Sequence, residues 1–187
     1  MDKFIKLLFI IFIFNATGQA QNRKITQVTE YQIKAAFLFN FAKFVDWPDE
    51  VFADTTEPII IGIIGRDPFG INLEQTINGK TVKGRKLVIK RFKRIRDLEF
   101  CHILYISTSQ KKNMAKIIDK IRDLSVLTIG ETRSFAYNGG IISFFNVDNK
   151  VRFEINKKAA DQAGLRISSR LLKLAVIIEE HQTNEKN

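Results

Sequence analysis

Two histidines, one cysteine and a Gly-Lys-Thr triplet are the residues of this 187-residue chain whose types and spacing suggest chemistry. A phosphate-binding loop needs a Gly five positions ahead of the Gly of Gly-Lys-Thr, so that backbone N–H groups cradle the phosphates. Ahead of Gly79-Lys80-Thr81 that position is Glu74, and the cradle cannot form. GIIGRDPFG places Gly62, Gly65 and Gly70 at spacings that miss the dinucleotide fingerprint. His181 lies in the polar tail, whereas His102 lies in the apolar run FCHILYI beside Cys101. Neither has the sequence neighbours of a Ser-His-Asp, Cys-His or metal-ligand set. His102 reads as a structural strand histidine. Cys101 cannot close an intramolecular disulfide, which leaves a buried thiol or an intermolecular bridge. No catalytic, cofactor-binding or metal-binding residue is predicted, and the chain reads as a non-enzyme.

The elements that would position these residues begin after a leader. Lys3 and Lys6 precede the apolar run Leu7 to Phe14, and small residues follow up to Ala20. That is the layout of a cleaved secretory signal over 1–20, too short to span a bilayer. Residues 21–29 read as a flexible lead-in, 30–180 as one α/β domain and 181–187 as a polar tail. From Glu30 to Asp46 the spacing predicts a helix apolar most of the way round, hence buried on several sides, with Phe37, Phe41, Phe44 and Val45 on one face. Pro48 ends it.

PIIIGIIG (58–65), residues 86–92, FCHILYIS (100–107) and SVLTIG (125–130) read as strands. Helices are predicted from Ile71 to Ile77 and from Gln110 to Arg122. Strands alternating with helices argue for a largely parallel sheet. GGIISFFNVDNKVRFEIN (139–156) reads as a hairpin turning at Asp148-Asn149, which makes the sheet mixed. Asn156 caps a short helix that stops at Gly164, and Ser168 caps a final apolar helix running to about Glu179. The fold class is therefore α/β: one domain, a mixed and mostly parallel sheet flanked by helices, with a C-terminal hairpin and final helix.

Binding features are more visible than catalytic ones. The formal net charge is +10, and KGRKLVIKRFKRIR (83–96) holds eight Lys or Arg. On an exported chain such a segment suits anionic lipid headgroups or an acidic partner surface, or else protects an edge strand by charge. The turns Arg66-Asp67-Pro68-Phe69-Gly70 and Glu131-Thr132-Arg133-Ser134-Phe135 follow strands, where open α/β sheets collect ligands. They are either small-anion sites or plain turns. In VRFEIN the period of two sends Val151, Phe153 and Ile155 to one face and Arg152, Glu154 and Asn156 to the other. Arg152, Glu154, Asn156, Arg133 and Phe135 are the candidate partner-binding residues. Arg152 leans to an interface, and Glu154 and Asn156 to intramolecular ties.

Several stretches together resemble the YfiR family, exported bacterial proteins named for a periplasmic repressor of a membrane-bound diguanylate cyclase. They are YQIKAAFLFNFAKFVDWP, IIIGIIGRDPFG, CHILYI, SVLTIGE with Phe135 and Gly139-Gly140, and VRFEINKKAADQAGLRISSRLLKLA. The resemblance implies a periplasmic, non-enzymatic regulator without cofactor. It would bind and restrain the periplasmic part of a membrane-anchored signalling protein, such as a diguanylate cyclase or sensor kinase, with a homodimer as a further possibility. Nucleic acid is not an expected partner, and the mature form has no expected membrane span. Family members often carry further cysteines in disulfides; with Cys101 alone this chain departs from that pattern. The alternative is a periplasmic domain that senses a small solute.

Overall fold

The computed structural model describes residues 30–178; the segments predicted as leader, lead-in and polar tail, His181 included, lie outside them. Residues 30–44 form helix α1. Tyr31, Lys34, Leu38 and Phe41 recur at three- and four-residue spacing, and Lys34, Leu38 and Phe41 on that face are buried. The helix gives way to a two-residue strand, β1 (Val45–Asp46), ahead of Pro48.

The sheet follows from the apolar runs. β2 (Ile59–Ile64) is joined through α2 (Ile71–Ile77), the short β3 (Thr81–Val82) and a tight turn to β4 (Arg85–Phe92). The chain then crosses back to β5 (Ile103–Ile106), passes through helical turns at Thr108–Asn113 and α3 (Met114–Lys120), and reaches β6 (Leu127–Gly130). β7 (Ile142–Val147) and β8 (Lys150–Asn156) form the hairpin, with Asp148 and Asn149 both at positive φ as a primed two-residue turn requires. α4 (Lys157–Gln162), β9 (Arg166–Ile167), α5 (Ser169–Leu172) and β10 (Val176–Ile178) complete the order. Across the sheet the strands run β10-β8-β7-β6-β5-β2-β4-β3, while β1 and β9 pair separately. β4, β2, β5, β6 and β7 are mutually parallel; the β3–β4 and β7–β8 pairs are antiparallel.

Period two along each central strand splits the interior into two cores. Ile61 and Ile63 of β2, Ile103 and Tyr105 of β5 and Leu127 and Ile129 of β6 face α1 and α2. Ile64, Leu104 and Ile106 face α3 and Phe135. Helices on both faces explain why these strands are continuously apolar.

Two expectations are corrected. The final helix is one turn long, although Ser168 caps it as read, accepting from Leu171 N–H at 3.3 Å. Val176-Ile177-Ile178 leaves it to pair with the open edge of β8. β-branched side chains suit a strand, and the ladder satisfies their backbone. The helix expected over 110–122 opens instead as 3-10 turns, and its α-helical part is confined to α3. The Phe-rich helix is core, as its pattern predicts: Phe41 is fully buried, and Phe37 and Phe44 are partly buried against the same cluster.

Candidate functional site

From β2 the chain leaves to β4 on one side and returns to β5 on the other, so the crevice beyond β2 and β5 is where such sheets hold ligands. Here it is filled. Gly65 follows β2 at φ +95, and a Cβ at this position would lie 2.5 Å from Ser109 Oγ. Arg66 N–H donates to Ser109 Oγ at 2.9 Å, and Phe69 N–H donates to Asp67 Oδ1 at 2.7 Å. The second turn is closed likewise, with Phe135 N–H on Thr132 O and Asn138 N–H on Ser134 O. The amides of Arg66, Phe69 and Phe135 are thus engaged within the protein, as in ordinary turns.

Beyond β5 and β6 lies a constellation that the sequence reading missed. Lys34 of α1 is only 2% exposed and pairs with Glu131, the residue after β6, and with Glu30. Tyr31 Oη donates to Glu131 Oε1 at 2.8 Å, and Tyr105 Oη donates to the same oxygen. One carboxylate thus gathers two phenols and an ammonium from two elements, α1 and β5. Burial, then the Glu131 charge, push both phenols far above their ordinary range, so they remain donors. Burial works to raise Glu30, but hydrogen bonds from Lys34 and Asn146 outweigh it and lower its pKa. The group fastens the start of α1 to the carboxyl ends of the strands. A signal was available: position 34 shares the buried stripe of Leu38 and Phe41, four residues after Glu30.

His102 and Cys101 occupy the opposite end and stay structural in kind. His102 Nδ1 accepts from Ile60 N–H at 3.0 Å, its ring stacks on Phe52 at 4.5 Å, and its carbonyl accepts from Trp47 Nε1. Its buried Nε2 has no partner among the described residues. Burial lowers its pKa to about 4. Cys101 is a free, buried thiol that burial pushes up to about 12, unlike a reactive thiolate.

The candidate partner-binding residues separate. Phe135 is a correction: it is 1% exposed, lodged against Gly130 and Gly140, and its ring cannot meet a partner. Arg133, in the same turn, is exposed. Asn156 is a tie, as expected: its Oδ1 accepts from Ala159 N–H at 2.9 Å and its Nδ2 donates to Ala136 O at 2.8 Å. Glu154 is half-buried opposite Ser143 and beside Val176, and its pKa is raised by burial against a smaller lowering from the Ser143 hydrogen bond. Arg152 is exposed opposite Phe145 and has no ion pair among the described residues. Register places Phe145, Val147 and Val176 on the same face as Arg152 and Glu154, and Val147 and Val176 are 46% and 57% exposed. A strip of exposed or half-buried apolar side chains, interrupted by the charges of Lys150, Arg152 and Glu154, therefore runs over β7, β8 and β10.

Residues 31–176 match the profile of a family described as YfiR/HmsC-like. The chain belongs to that family. YfiR/HmsC-like proteins are in general periplasmic and regulatory rather than catalytic. No described helix of this YfiR/HmsC-like chain is long and apolar enough to cross a membrane. No curated protein matches it. Among solved structures it is similar to a conserved domain protein from Vibrio cholerae, 17% identical, covering 65% of this chain and 55% of that one, with a TM-score of 0.49. It is also similar to the ABC domain in complex with L-Trp from Streptococcus pneumonia, 11% identical, covering 64% and 55%, with a TM-score of 0.47. The chain spans about half the length of each, and neither likeness bears on function.

Proposed function

We propose that the chain is an exported, non-enzymatic regulator that binds the periplasmic part of a membrane-anchored signalling protein, such as a diguanylate cyclase or sensor kinase, and restrains it. Family membership over residues 31–176 carries this reading. The strip on β7, β8 and β10 supplies the contact: Val147, Val176 and Phe145 offer apolar burial, while Arg152 and Glu154 set orientation. Charges beside an apolar patch give specificity more than affinity. Arg133 is the remaining exposed candidate. The solute-sensing alternative has less support, because the crevice it needs is filled by Ser107, Ser109 and the Lys34–Glu131 pair.

The test is a pull-down with the mature chain as bait on inner-membrane extracts. A membrane signalling protein is expected among the captured proteins, and Arg152→Glu is expected to lose it while the far-UV circular dichroism stays that of the parent. Capture of no such protein counts against the reading. An Arg152→Glu chain that remains folded and still captures the partner removes β8 from the interface.

A further inference from the structure

The other end of the sheet offers a second contact of a different kind. β3 covers only the beginning of β4, through Val82↔Arg85 and Thr81↔Lys86. From Leu87 onward β4 has β2 on one side and no strand on the other among the described residues. The direction of its free groups follows from one bond. Phe92 gives its carbonyl to Gly65 N–H on the β2 side, and successive residues of a strand turn their amides to opposite edges. Leu87, Ile89 and Arg91 therefore turn theirs outward, in the same parity as Arg85, which is paired with Val82. Beside this edge a groove of about 800 Å³ runs between α2 and β4.

Its chemistry selects the occupant. Lys80, Lys86 and Arg91 line the groove, against the single carboxylate of Glu74. Arg91 is held by that carboxylate at 2.5 Å and by Asp67 at 2.8 Å, which leaves Lys80 and Lys86 as the groove's cations without an ion pair among the described residues. Ile71 and Val88 are 68% and 40% exposed at the rim. Lysines on a free edge repel a second copy of the same edge, which is how natural sheets avoid edge-to-edge association. The same charges attract an extended segment carrying carboxylates.

We infer that the free edge of β4 takes up an extended acidic segment of a partner protein as an added strand, with main-chain hydrogen bonds to Leu87, Ile89 and Arg91 and alternate acidic side chains over Lys80 and Lys86. Strand addition of this kind draws affinity from the main chain and specificity from alternate side chains. The contact lies at the end of the sheet opposite the β7–β8–β10 strip, so it stands or falls independently of that interface.

The isotopically labelled mature chain is titrated with a short fluorescein-labelled peptide of alternating Glu and Val, and with its counterpart of alternating Lys and Val. The acidic peptide is expected to bind, to slow amide hydrogen exchange at Leu87, Ile89 and Arg91, and to weaken as salt rises. Lys80→Glu with Lys86→Glu, both at exposed positions, is expected to weaken it about tenfold or more with circular dichroism unchanged. The inference is overturned by equal binding of the two peptides, by perturbations confined elsewhere, or by those three amides being already protected in the free chain. None of these outcomes depends on recovering a membrane protein in the pull-down, so the two readings fail separately.

Discussion

A lysine on the buried face of a helix keeps its charge by snorkelling to solvent or by meeting a carboxylate inside. Lys34 takes the second course, and Glu131, Tyr31 and Tyr105 complete the shell. Removing one member of a buried pair costs more than the pair contributes, because the remaining charge is stranded. Glu131→Gln is expected to destabilise the chain by about 3 kcal/mol, somewhat below a full stranding because Glu30 still faces Lys34. The double change Lys34→Met with Glu131→Leu should recover most of that loss. Urea denaturation measures both, and a Glu131→Gln midpoint equal to that of the parent would remove the pair from the stability account. The sequence placed Lys34 on the buried stripe of its helix but could not name its partner, which stands almost a hundred positions away.

Elements were legible wherever local signals agreed. α2 falls on the predicted Ile71 to Ile77, and the hairpin turns where Asp148-Asn149 allowed it. Asn156 and Ser168 both cap the helices they were assigned. The reading failed at the C-terminal segment, where Leu-Leu-Lys-Leu-Ala-Val-Ile-Ile has helical apolar spacing and β-branched content at once. The free edge of β8 decided it, and that edge is a tertiary fact. Phe135 failed for a related reason. A residue in a polar turn looks exposed until the glycines at 130 and 140 are seen to leave room for its ring. A Cβ on Gly140 would collide with that ring, so Gly140→Ala is expected to cost about 1–3 kcal/mol, as overpacked cores do. Combining it with Phe135→Leu should cost less than the sum of the two single changes, which a double-mutant cycle by thermal unfolding would register. Strict additivity would place the ring elsewhere.

For the molecule as a whole, His102 sets a response to acid. It is fully buried, held among Phe52, Phe100 and Trp47, with Glu57 and Arg85 as the charges nearby. Its folded pKa of about 4 lies below the ordinary 6.5, so between those values the unfolded chain binds a proton that the folded chain refuses. Stability therefore falls as pH drops from about 6.5 towards 4, by roughly 3 kcal/mol in all from this residue. His102→Asn keeps an acceptor for Ile60 N–H and should flatten the upper part of that slope, above the carboxylate range. An unchanged slope in chemical denaturation across pH 6.5 to 5 would assign the acid response to other groups. The packing of α1 has a further consequence, for synthesis. Phe37 and Phe41 find their ring partners at Phe144 and Phe153, and Val45 finds its strand partner at Ile167. A chain delivered N-terminus first thus exposes its Phe-rich segment about a hundred residues before the surface that covers it has been made. That order of synthesis favours premature collapse of the segment onto another copy, the misfolding to be expected of an apolar surface made long before its cover.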